Sequence, residues 1–339
     1  MFKRTKKIKD TEFVFLTTVL RVRESRMLTR DKMERILDAA TYEESAKMLE
    51  ECGYVDMSRF GTEQVEAALA VHRADILSEI ATMSPEKRVI DIFRLKYDYH
   101  NAKTLIKAEG AGVSGAQLYS SSGRIEMPVL VKAYEENDMS ALPPIFAEAI
   151  TEARGALART SNPQFTDIVL DRAMFAELIQ LASELRNPFL TEYAKLQVDN
   201  ANLRAAVRTR LMGRDSAFLS GILIDGGQIK TEILLAAVAS GEMNALTSLY
   251  ARTALESAAV LAASVLSGNG TLTDFELECD NSLIRYMSKA RQIGFGIEPV
   301  VAFIASLDAE ITTARMILTG RLQGVQPELI RERLREINA

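Results

Sequence analysis

A chain of 339 residues, 47% apolar and 26% charged, has the balance of a folded globular protein with room for two or three domains, and excludes a disordered one. Its formal net charge of −5 argues against a general polyanion binder, because neutralising many phosphates takes a basic surface, so nucleic acid is not an expected partner. Helix formers dominate, Trp is absent and only eight prolines occur, which makes all-α the expected class.

The chain opens with Lys3, Arg4, Lys6, Lys7 and Lys9. The apolar run that follows, residues 13–20, is short and flanked by Glu12 and Arg21, so it does not read as a signal peptide. A basic end of this kind reads as solvated and frayed; contact with lipid headgroups or an acidic partner is its functional alternative. Thr41 and Glu44 form a capping box ahead of Ala46, Met48 and Leu49, which predicts a helix start.

Ser84 as N-cap with Pro85 at the first helical position predicts a long helix to about Lys107, with Val89, Phe93, Tyr97 and His100 as its apolar stripe and Gly110 and Gly112 ending it. Comparable helices are predicted over 188–211, after Asn187, and over 299–322, again opened by proline. Strand signals are weak: residues 129–131 and 221–224 lean towards β but alternate over too few positions to define a sheet. The longest uncharged stretch, 257–273, is broken by Gly268, Asn269 and Gly270 and falls short of the ~20 apolar residues a spanning helix needs. If this chain meets a membrane, it meets something embedded in it.

Internal repetition organises the rest. Each long helix carries an acid, then Asn or Thr three residues later, then a base two after that: Asp98/Asn101/Lys103, Asp199/Asn202/Arg204 and Glu310/Thr313/Arg315. The copies start 101 and 111 residues apart. Upstream of each lies an acid followed three residues later by Leu or Met: Glu66/Leu69, Asp171/Met174 and Asp280/Leu283. With Gly, Ser and Pro clustering over 110–160 and 212–250, this predicts three helical repeats, 1–115, 116–215 and 216–339, interleaved at their edges.

Little else points to chemistry. Gly110 to Gly115 match GxGxxG with Glu135 further on, but a dinucleotide fingerprint needs a preceding strand and here a helix precedes. No Walker-A lysine motif exists. His72 and His100, the only histidines, fall on different predicted helices without a carboxylate cluster, so no metal, cofactor or catalytic site is expected. Cys52 and Cys279 belong to no CxxC pair and read as buried thiols in a reducing cytosol. Within each triad the acid and the Asn or Thr share a helix face, whereas the base lies about 140° round the helix. The acids either fix helix packing within a unit or line a shared axis where a partner docks.

The words around the triads resemble a known family, the central-stalk C subunits of bacterial and archaeal V/A-type ATPases, which are similar to the d subunit of eukaryotic V-ATPases. The resemblance rests on LRVRESRMLTRDKMERIL with YEESAKMLEECGY, on RLKYDYHNAKTLIKA, on LRNPFLTEYAKLQVDNANLRAAVRTRLMG and on EPVVAFIASLDAEITTARMILTGRLQGVQPELIRERL, and it covers nearly the whole chain. It implies a funnel-shaped body of three helical domains about a pseudo-threefold axis, without catalytic activity. It also implies a peripheral place on the cytoplasmic face of the membrane, between rotor shaft subunits of the D and F type and the membrane proteolipid ring, transmitting torque during proton or sodium transport. Glu310/Thr313 depart from the Asp/Asn of the other two copies, which puts strict threefold chemistry in doubt. A helical scaffold or adaptor for an unrelated soluble partner is the alternative, and a helical enzyme a weaker third.

Overall fold

A computed structural model describes residues 9–337, and these form helices joined by turns, with no strand among them. In chain order the helices are α1 (Val14–Glu24), α2 (Arg30–Leu37), α3 (Tyr42–Met48), α4 (Thr62–Met83), α5 (Arg88–Ala111), α6 (Met127–Glu135), α7 (Pro144–Thr160) and α8 (Pro163–Glu184). There follow α9 (Pro188–Leu211), α10 (Ser216–Ile222), α11 (Thr231–Ser240), α12 (Met243–Tyr250), α13 (Glu256–Leu266), α14 (Leu272–Ser288), α15 (Ile297–Leu322) and α16 (Pro327–Arg331). Short 3₁₀ turns link several of them.

Local chemistry sets the boundaries. Thr41 Oγ1 accepts from the Glu44 N–H at 3.2 Å, and the Glu44 carboxylate reaches back to the Ala40 N–H at 3.0 Å, one residue before the return bond of an ideal capping box. Asn187 caps α9 through the Leu190 N–H, with Pro188 at the first position as expected. Ser84 behaves differently from expectation: its hydroxyl accepts from the Glu86 N–H and donates to the Glu86 carbonyl, making a local turn. Glu86 then accepts from the Arg88 N–H, so α5 starts at Arg88 and not at Pro85. α15 starts at Ile297, two residues before Pro299, which still sits in the first turn, where its missing N–H costs nothing.

The far end of α5 also differs. The helix passes through Gly110 and stops at Ala111, where Gly112 turns left-handed with φ of +66°. Its buried apolar positions are Val89, Ile90, Ile92, Phe93, Leu95, Tyr99, Ala102 and Ile106, whereas Tyr97 is half-buried and His100 exposed. The expected stripe is thus buried at Val89 and Phe93 and leaves the buried side at Tyr97 and His100, because the core contacts recur at alternating steps of three and four from Ile92. Residues 129–131 lie inside α6, where Pro128 starts a helix that buries Leu130, Ala133 and Tyr134 at helical spacing.

The chain divides into two compact units, one of residues up to Ile90 and from Asp280 onward, the other Asp91–Cys279. In the first, α2, α3 and α4 close over the carboxyl-terminal half of α15 and over α16. Leu28, Ile36, Leu37, Leu49, Val65 and Leu69 share one buried core with Leu307, Ile311, Ile317 and Leu318. Each such side chain contributes about 1.5–3 kcal/mol by leaving water, and the partners lie more than 200 residues apart in sequence. In the second unit α7, α8 and α9 pack in succession, and α10 to α13 gather beside α9. Cys52 and Cys279 are both free and buried. No helix among the described residues is long and apolar enough to cross a membrane; the stretch 257–273 comprises most of α13, a turn at Gly268 and the start of α14. Lys3, Arg4, Lys6 and Lys7 lie outside the described residues, and Lys9 is exposed.

If the two ends of the chain form one cooperative body, truncating Leu49 to Ala, which costs about 2–5 kcal/mol at a fully buried site, should speed amide hydrogen exchange in α15 as much as in α4. Acceleration confined to α3 and α4 would contradict this.

Candidate functional site

The triads occupy equivalent places on α5, α9 and α15. Asp98, Asp199 and Glu310 are all buried, and each turns its carboxylate towards the backbone of a loop that leads into another helix. Asp98 Oδ1 accepts from the N–H groups of Arg124 and Ile125 at 2.8 and 3.1 Å. Asp199 accepts from those of Gln228 and Ile229 at 2.9 and 3.1 Å. Glu310 Oε2 accepts from the Leu28 N–H at 2.6 Å, while Oε1 accepts from the Tyr54 hydroxyl at 2.8 Å. Ile125, Ile229 and Leu28 each stand two residues before a helix, α6, α11 and α2 respectively, so the three acids act alike, each fixing the entry to a helix.

The Asn residues complete the clamp. Asn101 exchanges two hydrogen bonds with the backbone of Ser120 at 2.8 and 2.9 Å, and Asn202 two with Ile224 at 2.9 and 2.7 Å. Ser120 and Ile224 each lie five residues before the isoleucine held by the acid. These buried side chains thereby direct their hydrogen-bonding groups to main chain, as burial demands.

Two glycines outside the repeated pattern make the fit possible. A Cβ on Gly123 would lie 2.4 Å from Asp98 Oδ1, and one on Gly227 2.1 Å from Asp199 Oδ1, so only glycine lets the loop come this close. Each stands two residues before its clamped isoleucine. The corresponding residue before Leu28 is Arg26, which has a side chain. The acid of this copy is Glu310, one methylene longer than Asp. Five residues before Leu28 stands Arg23, inside α1, whose backbone groups the helix already uses; an Asn would find nothing to hold, and Thr313 stands there, with no partner for its hydroxyl among the described residues. The absence of an Asn from the third copy thus follows from its loop.

Around the first clamp an ionic group adds to the backbone bonds. Arg124 Nε meets Asp98 Oδ2 at 2.5 Å and Nη1 meets Glu177 Oε1 at 2.7 Å, and the Tyr99 hydroxyl donates to Glu177 Oε2 at 2.9 Å. Arg94 holds the Ser122 and Gly123 carbonyls. Burial raises the pKa of all three acids. Arg124 opposes this at Asp98, the two N–H groups oppose it at Asp199, and the Leu28 N–H and Tyr54 hydroxyl oppose it at Glu310.

The triad bases leave by another face, as the 140° offset requires. Lys103 pairs with Asp171 on α8 at 2.5 Å, Arg315 with Glu66 on α4 at 2.7 Å, and Arg204 donates to the Glu276 carbonyl on α14 at 3.0 Å. The upstream acids Glu66 and Asp171 are therefore partners of triad bases, and Asp280 pairs with Arg335 at 2.6 Å. These half-exposed pairs contribute at most about 1 kcal/mol each, so the buried acids and asparagines matter more.

Two side chains of types that can react, Cys52 and His72, line one cavity. A cavity of about 500 Å³ in the first unit is lined by Cys52, His72, Ile76, Phe303, Leu307 and Glu310. Burial, then the charge of Glu310, pushes the Cys52 thiol up to about 11, so it is not a thiolate at neutral pH. His72 stacks on Tyr54 with ring centres 4.2 Å apart, and burial lowers its pKa. The GxGxxG segment begins in the last turn of α5 and folds back on that helix, a Cβ on Gly115 lying 3.0 Å from Thr104 Cγ2.

A model of the ATP synthase (C/AC39) subunit family matches residues 16–333 of this chain. The chain is similar to the C subunit of the V-type sodium ATPase of Enterococcus hirae, with 24% identity over 96% of this chain and 99% of that protein. It is similar also to the C subunit of the A-type ATP synthase of Methanocaldococcus jannaschii, at 22% identity over 95% and 86% of the two chains. The C subunit of the V-type ATP synthase of Thermus thermophilus is 22% identical over 90% of this chain and 93% of its own.

The clamps predict opposite responses to amide substitution. Asp199→Asn places an amide N–H₂ against one of two N–H donors and should cost about 1–3 kcal/mol in urea unfolding. Glu310→Gln keeps both bonds, because the Tyr54 hydroxyl can accept, and should stay within about 1 kcal/mol of the parent. Because burial raises the Glu310 pKa, the folded state holds its proton more tightly than the unfolded chain; its contribution is present below the ordinary carboxylate pKa and declines as pH rises through the raised value. Glu310→Gln should therefore gain on the parent over that window. A third test is Gly227→Ala, which should destabilise by at least about 1 kcal/mol, whereas Gly221→Ala, with nothing within 4 Å of its Cβ, should not.

Proposed function

Because the chain belongs to the ATP synthase (C/AC39) subunit family and so is part of a rotary ATPase, we propose that it is the non-catalytic central-stalk component joining the soluble rotor shaft to the membrane proteolipid ring. In this role it carries torque between them during proton or sodium transport. Its partners are shaft subunits of the D and F type on one side and the ring on the other, and it works at the cytoplasmic face of the membrane.

The observation that best supports this reading is the threefold recurrence of the clamp. A torque-bearing part needs helices whose junctions do not yield, and here three helix entries are fixed by buried carboxylates at 2.6 to 3.1 Å. Close-packed helices deform little and pass strain on. The reading includes three helical repeats, 1–115, 116–215 and 216–339, about a pseudo-threefold axis. The third repeat borrows its clamped loop, at Leu28, from the start of the chain. The triad residues then brace the repeats, with Lys103, Arg204 and Arg315 the members closest to solvent.

Tagged chain recovered from detergent-solubilised membranes should bring shaft and proteolipid subunits with it, and the eluate should hydrolyse ATP while the purified chain alone does not. Recovery of the chain as a monomer, or with unrelated soluble proteins only, would overturn the proposal.

A further inference from the structure

The second unit holds a cavity of about 680 Å³ lined by α8, α9 and α10, and no acid or asparagine of the clamps reaches it. Cavities of this size take small ligands. Asn200, on α9, lines it while only 4% exposed, and its Oδ1 is buried with no hydrogen-bond partner among the described residues. A buried amide oxygen without a donor weighs against the folded state unless a donor enters the cavity to meet it.

The repeats show that the fold itself does not require this amide. Asn200 follows the clamp acid of the second copy, whereas Tyr99 and Ile311 follow the other two. Both of those are fully buried, but the Tyr99 hydroxyl donates to Glu177 and Ile311 has no polar side-chain group. The second copy alone leaves an unsatisfied group at this position.

The lining indicates what the ligand carries. An amide offers an acceptor and donors in one plane, so its match is a flat edge with a donor beside an acceptor. The amino group and ring nitrogen of adenine form such an edge, and asparagine takes it through two hydrogen bonds. Phe175 from α8 and Phe218 from α10 bring aromatic rings to the same cavity, where a base can stack on them. Charge adds a second requirement. The acids that line the cavity, Asp167 and Asp171, are held by Lys107 and Lys103 at 2.6 and 2.5 Å, and Arg208 is held by Glu276 at 2.5 Å. Arg172 is exposed, gives one N–H to the Gly221 carbonyl at 2.7 Å and pairs with no acid among the described residues, which leaves its fork of donors for a phosphate.

We infer that this cavity binds an adenine nucleotide, with Asn200 on the base edge, Phe175 and Phe218 on its faces and Arg172 on the phosphate. The inference stands apart from the stalk reading, because it concerns the isolated chain and one small molecule.

Titration calorimetry of the purified full-length chain with adenosine monophosphate tests it. Binding should saturate at one nucleotide per chain. Purine riboside monophosphate, which lacks the amino donor, should bind about tenfold more weakly, and so should adenosine, which lacks the phosphate. The variant N200L should lose at least about tenfold in affinity while its urea midpoint stays at or above that of the parent, because an apolar side chain of similar size no longer buries an unsatisfied amide. A205F, which fills the cavity from α9, should abolish binding with its circular dichroism unchanged, and R172Q should bind the nucleotide no more tightly than adenosine. No saturable binding at millimolar nucleotide, N200L binding as the parent does, or equal affinity for the nucleotide and for either analogue would overturn the inference.

Discussion

A carboxylate removed from water must find hydrogen-bond donors, and in this chain three of them find the main chain. Burying an isolated charge costs far more than the net stability of a domain, so Asp98, Asp199 and Glu310 hold their positions only while particular N–H groups stay in reach. The dependence runs both ways, since those N–H groups belong to loops with no ladder of their own to satisfy them. Helix entry, loop path and burial of the acid are therefore one arrangement made three times. The long helices α5, α9 and α15 act as posts to which the shorter helices are fastened.

Much of this was legible in the sequence. Periodicity and caps gave the helices, and the spacing of acid, Asn or Thr and base gave the repeated positions. What a helical wheel can show is that acid and Asn share a face; what it cannot show is the partner of that face, because Ser120, Arg124, Ile224 and Gln228 are loop residues 19 to 29 positions away. Gly123 and Gly227 carried a signal, a glycine two residues before an isoleucine and four before a helix, but among many loop glycines it stands out only once the acids are placed against it. The third copy was hardest to read, because its loop lies at the other end of the chain, 282 residues before Glu310. Pro85 misled for a local reason: Ser84 and Glu86 commit their side chains to a turn that delays the helix.

The division into two compact units and the threefold recurrence of the clamp describe different properties. Compactness reflects how many neighbours each residue has, and here it unites the two ends of the chain. Recurrence reflects what each long helix does locally. A chain grown by repetition and then closed by its own first residues would show both.

The coupling role itself is tested most directly by rebuilding the rotary complex in liposomes with and without this chain and measuring ATP hydrolysis and ion transport on the same sample. The account predicts that omission leaves hydrolysis by the soluble part intact while ATP-driven transport disappears, and that adding the chain back restores it. Transport at the full rate without the chain would contradict the account.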